Sequence, residues 1–335
     1  MYTFYLGENE YSIKDKWEEL TPEETIYLVD LLSQYLTGKI KFYDVRILFT
    51  IYIMGYKPRR IRNYEKQQMR DENFYKISQN LTFFFEIKYE DQKKYVNLAK
   101  KTKELLKKHL PEDLEETPEI RVAAKMNRWF EVDGVFSKNL VPQLKIGRKV
   151  YKAYTFELMD DIAITSLTAQ QFTDAQNIYT QLLLKSNTEL FNLFCAVLYQ
   201  GETYSEDIAR KTASVFGKIS NKEKQAVLFV FSGIQEFIIT RTKYSILFSR
   251  EKKNKKAKQP KKTGLGFENT IYSLSKAGYG SVKEMQNLPL FETFDLMIKN
   301  MADTINQLKD ADKDVAEIAK ITKLTINQVN ELLND

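Results

Sequence analysis

Breaks are scarce in this chain: 12 glycines and 7 prolines are spread over 335 residues. Glycine and proline are the residues that stop helices and turn strands, so long uninterrupted segments are expected. A turn-rich β-sandwich or barrel would need many more of them. Hydrophobic residues make up 43% of the chain and include 20 Tyr and 21 Phe. That is enough apolar surface for a core, and it excludes wholesale disorder. The expected class is mainly α.

Capping signals place the first elements. Thr3–Leu6 and Tyr11–Ile13 flank a glycine-containing turn and predict a small β-hairpin. Thr21-Pro22-Glu23-Glu24 then reads as a helix start, with an N-cap, a proline at the first helical position and a glutamate closing a capping box. An apolar face from Ile26 to Leu36 runs to Gly38, and a second helix from about Tyr43 to Met54 stops at Gly55. Residues 59–118 show little periodicity. Within them Leu81–Tyr89 predicts a strand and Asn97–His109 a basic helix, and the acidic, proline-bearing Pro111–Pro118 segment reads as a linker.

Beyond that segment Ile120–Trp129 is expected to be helical, and Gly147 marks a second hairpin within Leu140–Phe156. The opening order then returns: a Thr168-capped helix over Ala169–Leu184, an apolar helix over Thr188–Tyr199 and a stop at Gly201. Residues 11–56 and 154–201 thus share an order of elements with few matching identities, the mark of a degenerate duplication. Helices are also expected at Ser205–Phe216, Asn221–Thr242, Gly266–Ser275 and Leu290–Leu308, with a terminal pair at Asp314–Ile321 and Thr325–Leu333. The expected architecture is therefore two helical modules, each preceded by a small β-hairpin, plus a C-terminal helix pair. Its divisions are 1–110, a linker at 111–118, 119–249, a basic segment at 250–264 and 265–335.

Charge is concentrated in one place. Arg250–Lys262 holds eight basic residues and one acid, so the other 322 residues sum to −1 against a total of +6. Arg250, Lys252, Lys253, Lys255, Lys256, Lys258, Lys261 and Lys262 form a candidate binding loop for phosphates or an acidic protein surface. It has no interleaved aromatics for base stacking. Arg59-Arg60-Ile61-Arg62 is a smaller basic cluster.

Catalytic chemistry is thinly supplied. With one His and one Cys, the chain lacks the ligands of an ordinary zinc site, and it contains neither a GxxxxGK[ST] loop nor a GxGxxG turn. His109, at the end of a basic helix, is expected on the surface, and Cys195, within LFNLFCAVLY, in the core. Asp71 with Glu86-Ile87-Lys88 has the outline of a metal-dependent nuclease constellation, in which two carboxylates hold Mg²⁺ and the lysine orients water. The neighbouring pairs Glu18/Glu19 and Asp160/Asp161 read as solvated residues beside helix starts. No catalytic, cofactor or metal site is expected. Val315–Leu333 resembles the core of a helix-turn-helix, with Ala319 at the tight contact, Leu324 in the turn and Val329 in the second helix. Its second helix carries Asn327 and Gln328 but no Arg or Lys, so a protein-docking role is expected there.

Two stretches carry a family resemblance. One is the entry Ile13–Glu24, leading into Trp-Glu-Glu-Leu-Thr-Pro-Glu. The other is the apolar helix ending in Ala196-Val197-Leu198-Tyr199, followed by a helix pair, the lysine-rich run and the Gly-Tyr-Gly-Ser turn at 278–281. Together they resemble tail-region, tail assembly chaperone-like proteins of Bacteroides-type phages and prophages, over about half the chain. The resemblance implies a non-catalytic protein that binds tail-tube or tape-measure subunits through helical surfaces and can self-associate. The alternative is a nucleic-acid-associated phage or mobile-element protein using Arg250–Lys262. One cysteine, no secretory n-region and h-region, and no run approaching ~18 apolar residues lead to the expectation of a cytoplasmic location and no membrane span.

Overall fold

The computed structural model describes every residue except 1, 7–8, 58–62, 160–161, 186, 202, 249–264 and 335. Helices predominate among the described residues, which makes the fold mainly α. The strands form two-stranded antiparallel pairs. Two compact units emerge: residues 1–136 with 221–230, and residues 137–220 with 231–335. This division differs from the expected boundary at 111–118, and the reason lies in the packing of that segment. Pro111 is buried, and the Asp113 side chain is enclosed within the first unit.

The first unit opens with the hairpin Tyr2–Leu6/Asn9–Ile13, in which Tyr2 faces Ile13. Thr21 caps the Pro22–Leu36 helix through a complete capping box with Glu24. Its Leu28, Val29, Leu31 and Leu32 are buried, as are Phe42, Val45 and Phe49 of the following Phe42–Ile53 helix. The core is aromatic. Phe42 stacks on Phe130 at 3.7 Å and meets Phe85 edge-on at 4.6 Å. Trp17 donates its indole N–H to the Asp133 carbonyl at 2.7 Å and packs against Phe83, Phe136 and Phe229. A Cβ on Gly134 would stand 2.6 Å from the Phe229 ring, so glycine is required for that approach.

Two local expectations are corrected here. The polar run around Arg70 and Asp71 is the helix Tyr64–Ser78, which buries only Phe74 and Ser78 and so shows no apolar stripe. The basic helix expected at Asn97–His109 is shorter, covering Lys100–Leu106, and a separate short helix, Gln92–Val96, precedes it. The expected helix over Ile120–Trp129 stops at Ala124, and Arg128–Val132 is a strand paired antiparallel with Phe85–Tyr89. Trp129, Phe130 and Val132 favour strand, and the partner edge that satisfies their backbone lies some forty residues earlier in the chain.

Among the described residues of this unit Arg46, only 2% exposed, is the most buried charge. Its Nε donates to the Ser78 carbonyl at 2.9 Å, and its guanidinium lies 3.9 Å from Asp113 Oδ2 and over the Phe85 ring. Asp113 Oδ1 accepts from Tyr75 Oη at 2.8 Å and from Gln79 Nε2 at 2.7 Å.

The second unit carries the hairpins Gln143–Ile146/Lys149–Lys152 and Phe156–Met159/Ile162–Thr165. The Thr168-capped helix Ala169–Leu184 and the Asn187-capped helix Thr188–Leu198 follow. Phe172, Tyr179 and Phe194 surround Phe231 in the core. Leu265–Lys276, Val282–Asn287 and Leu290–Asp310 are helical, and the terminal pair Val315–Thr322 and Ile326–Asn334 buries Ile318, Leu324 and Val329 with Ile305. The order noted in the sequence is present in space: strand, Thr-capped helix, second helix, then a glycine at positive φ, at Gly55 (60°) in one unit and Gly201 (75°) in the other.

Removing Arg46 strands Asp113 in the interior. Arg46→Ala is expected to lower the unfolding free energy by about 3–5 kcal/mol in urea titrations, and Arg46→Leu with Asp113→Leu to recover part of that loss. His109 is half-buried, and its pKa sits below the ordinary 6.5, first through burial, then through Arg46, with Asp113 opposing. As pH falls, the unfolded chain protonates before the folded one. This contribution is therefore complete above about pH 6.5 and declines as pH falls through that value. His109 is the only histidine. His109→Gln should flatten the stability profile between about pH 7 and 5.5, measured by thermal unfolding.

Candidate functional site

The residues singled out by sequence separate into distinct environments. Arg250, Lys252, Lys253, Lys255, Lys256, Lys258, Lys261 and Lys262 lie outside the described residues, as do Arg59-Arg60-Ile61-Arg62 and Asp160/Asp161. Cys195 is fully buried on the Thr188–Leu198 helix. His109 is half-buried and not the surface residue expected; burial and the nearby charges of Arg46 and Asp113 act on it.

The nuclease-like constellation is not assembled. Asp71 pairs with Arg70 at 2.8 Å on the Tyr64–Ser78 helix. Glu86 pairs with Lys88 at 2.5 Å, and Lys88 reaches Glu131 of the neighbouring strand at 3.3 Å. The hydrogen bond from Lys88 holds the Glu86 carboxyl below its usual range, and the same bond raises the Lys88 ammonium. One lysine is thus shared between a carboxylate of its own strand and one of the neighbouring strand. Among the described residues no group of three His, Cys, Asp or Glu side chains is placed to hold a metal. Glu19 accepts the Asp15 backbone N–H at 3.1 Å beside the Trp17–Glu19 turn, a local cap.

The terminal helix pair keeps its expected core: Ala319, Leu324 and Val329 are buried, with Lys323 in the left-handed region (φ 62°) at the turn. Gln328 is committed to the helix start, where its Oε1 accepts from the Thr325 backbone N–H at 2.9 Å. Asn327 remains exposed beside Ile326.

A docking face was not foreseen from the sequence. On the two N-terminal helices, Tyr27 stacks on Tyr52 with ring centroids 4.1 Å apart. Tyr52 is 41% and Leu48 38% exposed, one helical turn apart and off the buried Phe42/Val45/Phe49 stripe. Asp30 borders the face, binding Lys222 at 2.7 Å and accepting from Gln34 at 2.9 Å. Rigid aromatic and aliphatic groups edged by a satisfied polar rim match the composition of protein interfaces. The available signal was the i, i+4 pair Leu48/Tyr52, apolar along one flank of the core stripe.

The second unit holds an apolar pocket of about 420 Å³, walled by Phe172, Ile238, Leu247, Phe248, Phe267 and Met297. Its polar content includes Gln235, hydrogen-bonded to Gln176, and among the described residues no ionisable side chain lines it, so these residues offer packing and amide hydrogen bonds.

No family model matches the chain, and neither a curated protein nor a solved structure is significantly similar to it.

Because Lys88, Glu86 and Glu131 are each about a third exposed or more, their pairing is screened by solvent. Lys88→Met is expected to change the unfolding free energy by under about 1 kcal/mol in urea, and Mg²⁺ titration to leave the melting temperature of both proteins unmoved.

Proposed function

We propose that this chain is a non-catalytic phage or prophage tail-assembly protein, working in the host cytoplasm and binding tail-tube or tape-measure subunits through its helical surfaces. The observation that carries the binding role is the stacked Tyr27/Tyr52 pair with Leu48 beside it, held at the surface on two helices whose adjoining faces are packed into the core. Such a face loses little side-chain freedom on binding, since its rings are already ordered by one another. The setting in tail assembly rests on the resemblance at Ile13–Glu24 and in the block running from Ala196 to Ser281. Among the described residues no helix is long and apolar enough to cross a membrane, which is compatible with this setting.

The test is affinity capture of the tagged full chain from its producing host, with and without nuclease, read by mass spectrometry. Tail-tube or tape-measure subunits should be recovered whether or not nuclease is present. Leu48→Glu with Tyr52→Glu should reduce that recovery at least about tenfold at an unchanged circular dichroism spectrum. Recovery of replication or packaging proteins only, lost on nuclease treatment, would overturn the proposal and leave the nucleic-acid reading of Arg250–Lys262 in its place.

A further inference from the structure

Between Gly134 and Phe156 the chain carries five basic residues, Lys138, Lys145, Arg148, Lys149 and Lys152, and no acidic one. Four of them sit on the Gln143–Ile146/Lys149–Lys152 hairpin, whose register pairs Gln143 with Lys152, Leu144 with Tyr151, Lys145 with Val150 and Ile146 with Lys149. One face is pinned to the second unit. Leu144 and Ile146 are buried, the Tyr151 ring meets Phe216 at 5.1 Å, and the Lys152 carbonyl accepts from Gly201 N–H at 3.0 Å. Strand alternation then puts Lys145 and Lys152 on the opposite face, Lys149 lies exposed at the end of the Ile146 side, and Arg148 stands at the tip beside Gly147, whose φ of 61° makes the tight turn.

Lys145, Arg148, Lys149 and Lys152 are all exposed. Among the described residues none of them has a carboxylate within ion-pair distance, whereas Lys88, Lys108, Lys222 and Arg128 are each paired. No described carboxylate supplies their counter-charge, which leaves these cations open to small ions or to a polyanion. Protein interfaces are rich in aromatics and depleted of lysine at their centre, and this ribbon is the reverse. It offers no exposed ring for the bases of a single strand, since Tyr151 is turned onto Phe216. A two-stranded ribbon is narrow enough for the ~12 Å major groove of a duplex, and its cations need only phosphates to satisfy them.

We propose that the Gln143–Lys152 hairpin is a sequence-independent binding surface for the phosphate backbone of double-stranded nucleic acid. It is separate from the Tyr27/Tyr52 face, and failure of either assignment leaves the other standing.

The experiment measures binding of the full chain to a labelled 30-base-pair duplex of arbitrary sequence by fluorescence anisotropy, from about 50 to 200 mM salt. Lys145→Gln, Arg148→Gln, Lys149→Gln and Lys152→Gln are combined in one variant. A second variant replaces the basic residues of Arg250–Lys262 with glutamine. The hairpin variant should bind at least about tenfold more weakly at the low-salt end and lose about 3–4 from the slope of log K against log salt, near 0.9 for each phosphate contact removed. Lysine-to-arginine changes at 145, 149 and 152 should preserve binding, which separates lost charge from lost folding. The variant of the 250–262 run should keep the hairpin's share of the slope. An absence of duplex binding by the parent chain, or an unchanged affinity and slope in the hairpin variant, would overturn the proposal. Tighter binding of an oligo-dT 30-mer, or equal competition by poly-glutamate, would also overturn it, reassigning the surface to a single strand or to an acidic protein.

Discussion

Burying the Arg46 guanidinium obliges distant parts of the first unit to converge. Its planar head finds the Ser78 carbonyl at the end of one helix, the Asp113 carboxylate after Leu110 and the face of Phe85 on a strand. Each of these segments is weakly apolar or short, and none has an independent reason to adopt its observed position. Desolvation pulls the Arg46 pKa below its ordinary value, and the nearby Asp113 counters that shift. The network that holds Asp113, with Tyr75 and Gln79 on one oxygen and Arg46 near the other, thereby ties the polar Tyr64–Ser78 helix to the core that its own sequence cannot bury. A buried ion pair of this kind contributes more to selecting one arrangement than to net stability, because its Coulombic gain is offset by the water both charges give up.

Around that network the chain uses one construction twice. A Leu-Thr step enters a long helix whose threonine cap satisfies the first free N–H groups, and a short connection leads to a second, more apolar helix that ends at a glycine. In each unit the space between elements is filled largely with rings: Phe42, Phe85 and Phe130 in one, Phe172, Phe194 and Phe231 in the other. Edge-on aromatic contacts are directional, so they fix the helix positions more closely than aliphatic packing would. This ordering is what leaves a few side chains, such as Tyr52 and Leu48, outside the core on a rigid support.

The distribution of charge divides structure from binding. Lys88 is shared by Glu86 and Glu131 across paired strands, and Asp30 pairs with Lys222 at the edge of the Tyr27/Tyr52 face. The cations of the Gln143–Lys152 hairpin have no such partners among the described residues, although the hairpin beneath them is anchored. In a chain whose residues outside Arg250–Lys262 sum to −1, a local excess of this kind is visible only once the acids elsewhere have been assigned to their own lysines and arginines.

The sequence alone determined what is governed within one or two turns of backbone. Thr21 with Glu24, Thr168, and the stops at Gly38, Gly55 and Gly201 mark helix ends whose hydrogen bonds close locally. The mainly α class, the burial of Cys195 and the core positions Ala319, Leu324 and Val329 follow from the same short-range periodicity. Tertiary structure decided the rest, because it depended on partners far along the chain. Arg128–Val132 became a strand only because Phe85–Tyr89 offered it an edge. Asp113 left the expected linker for the interior because Arg46, Tyr75 and Gln79 needed an acceptor there, and His109 followed it. Glu86 and Asp71 went to separate cations because the lysine and arginine beside them were nearer than they were to each other's elements. Local hydrogen bonding is written in neighbouring residues, whereas the environment of a charge is set by whatever the completed fold brings within a few ångströms of it.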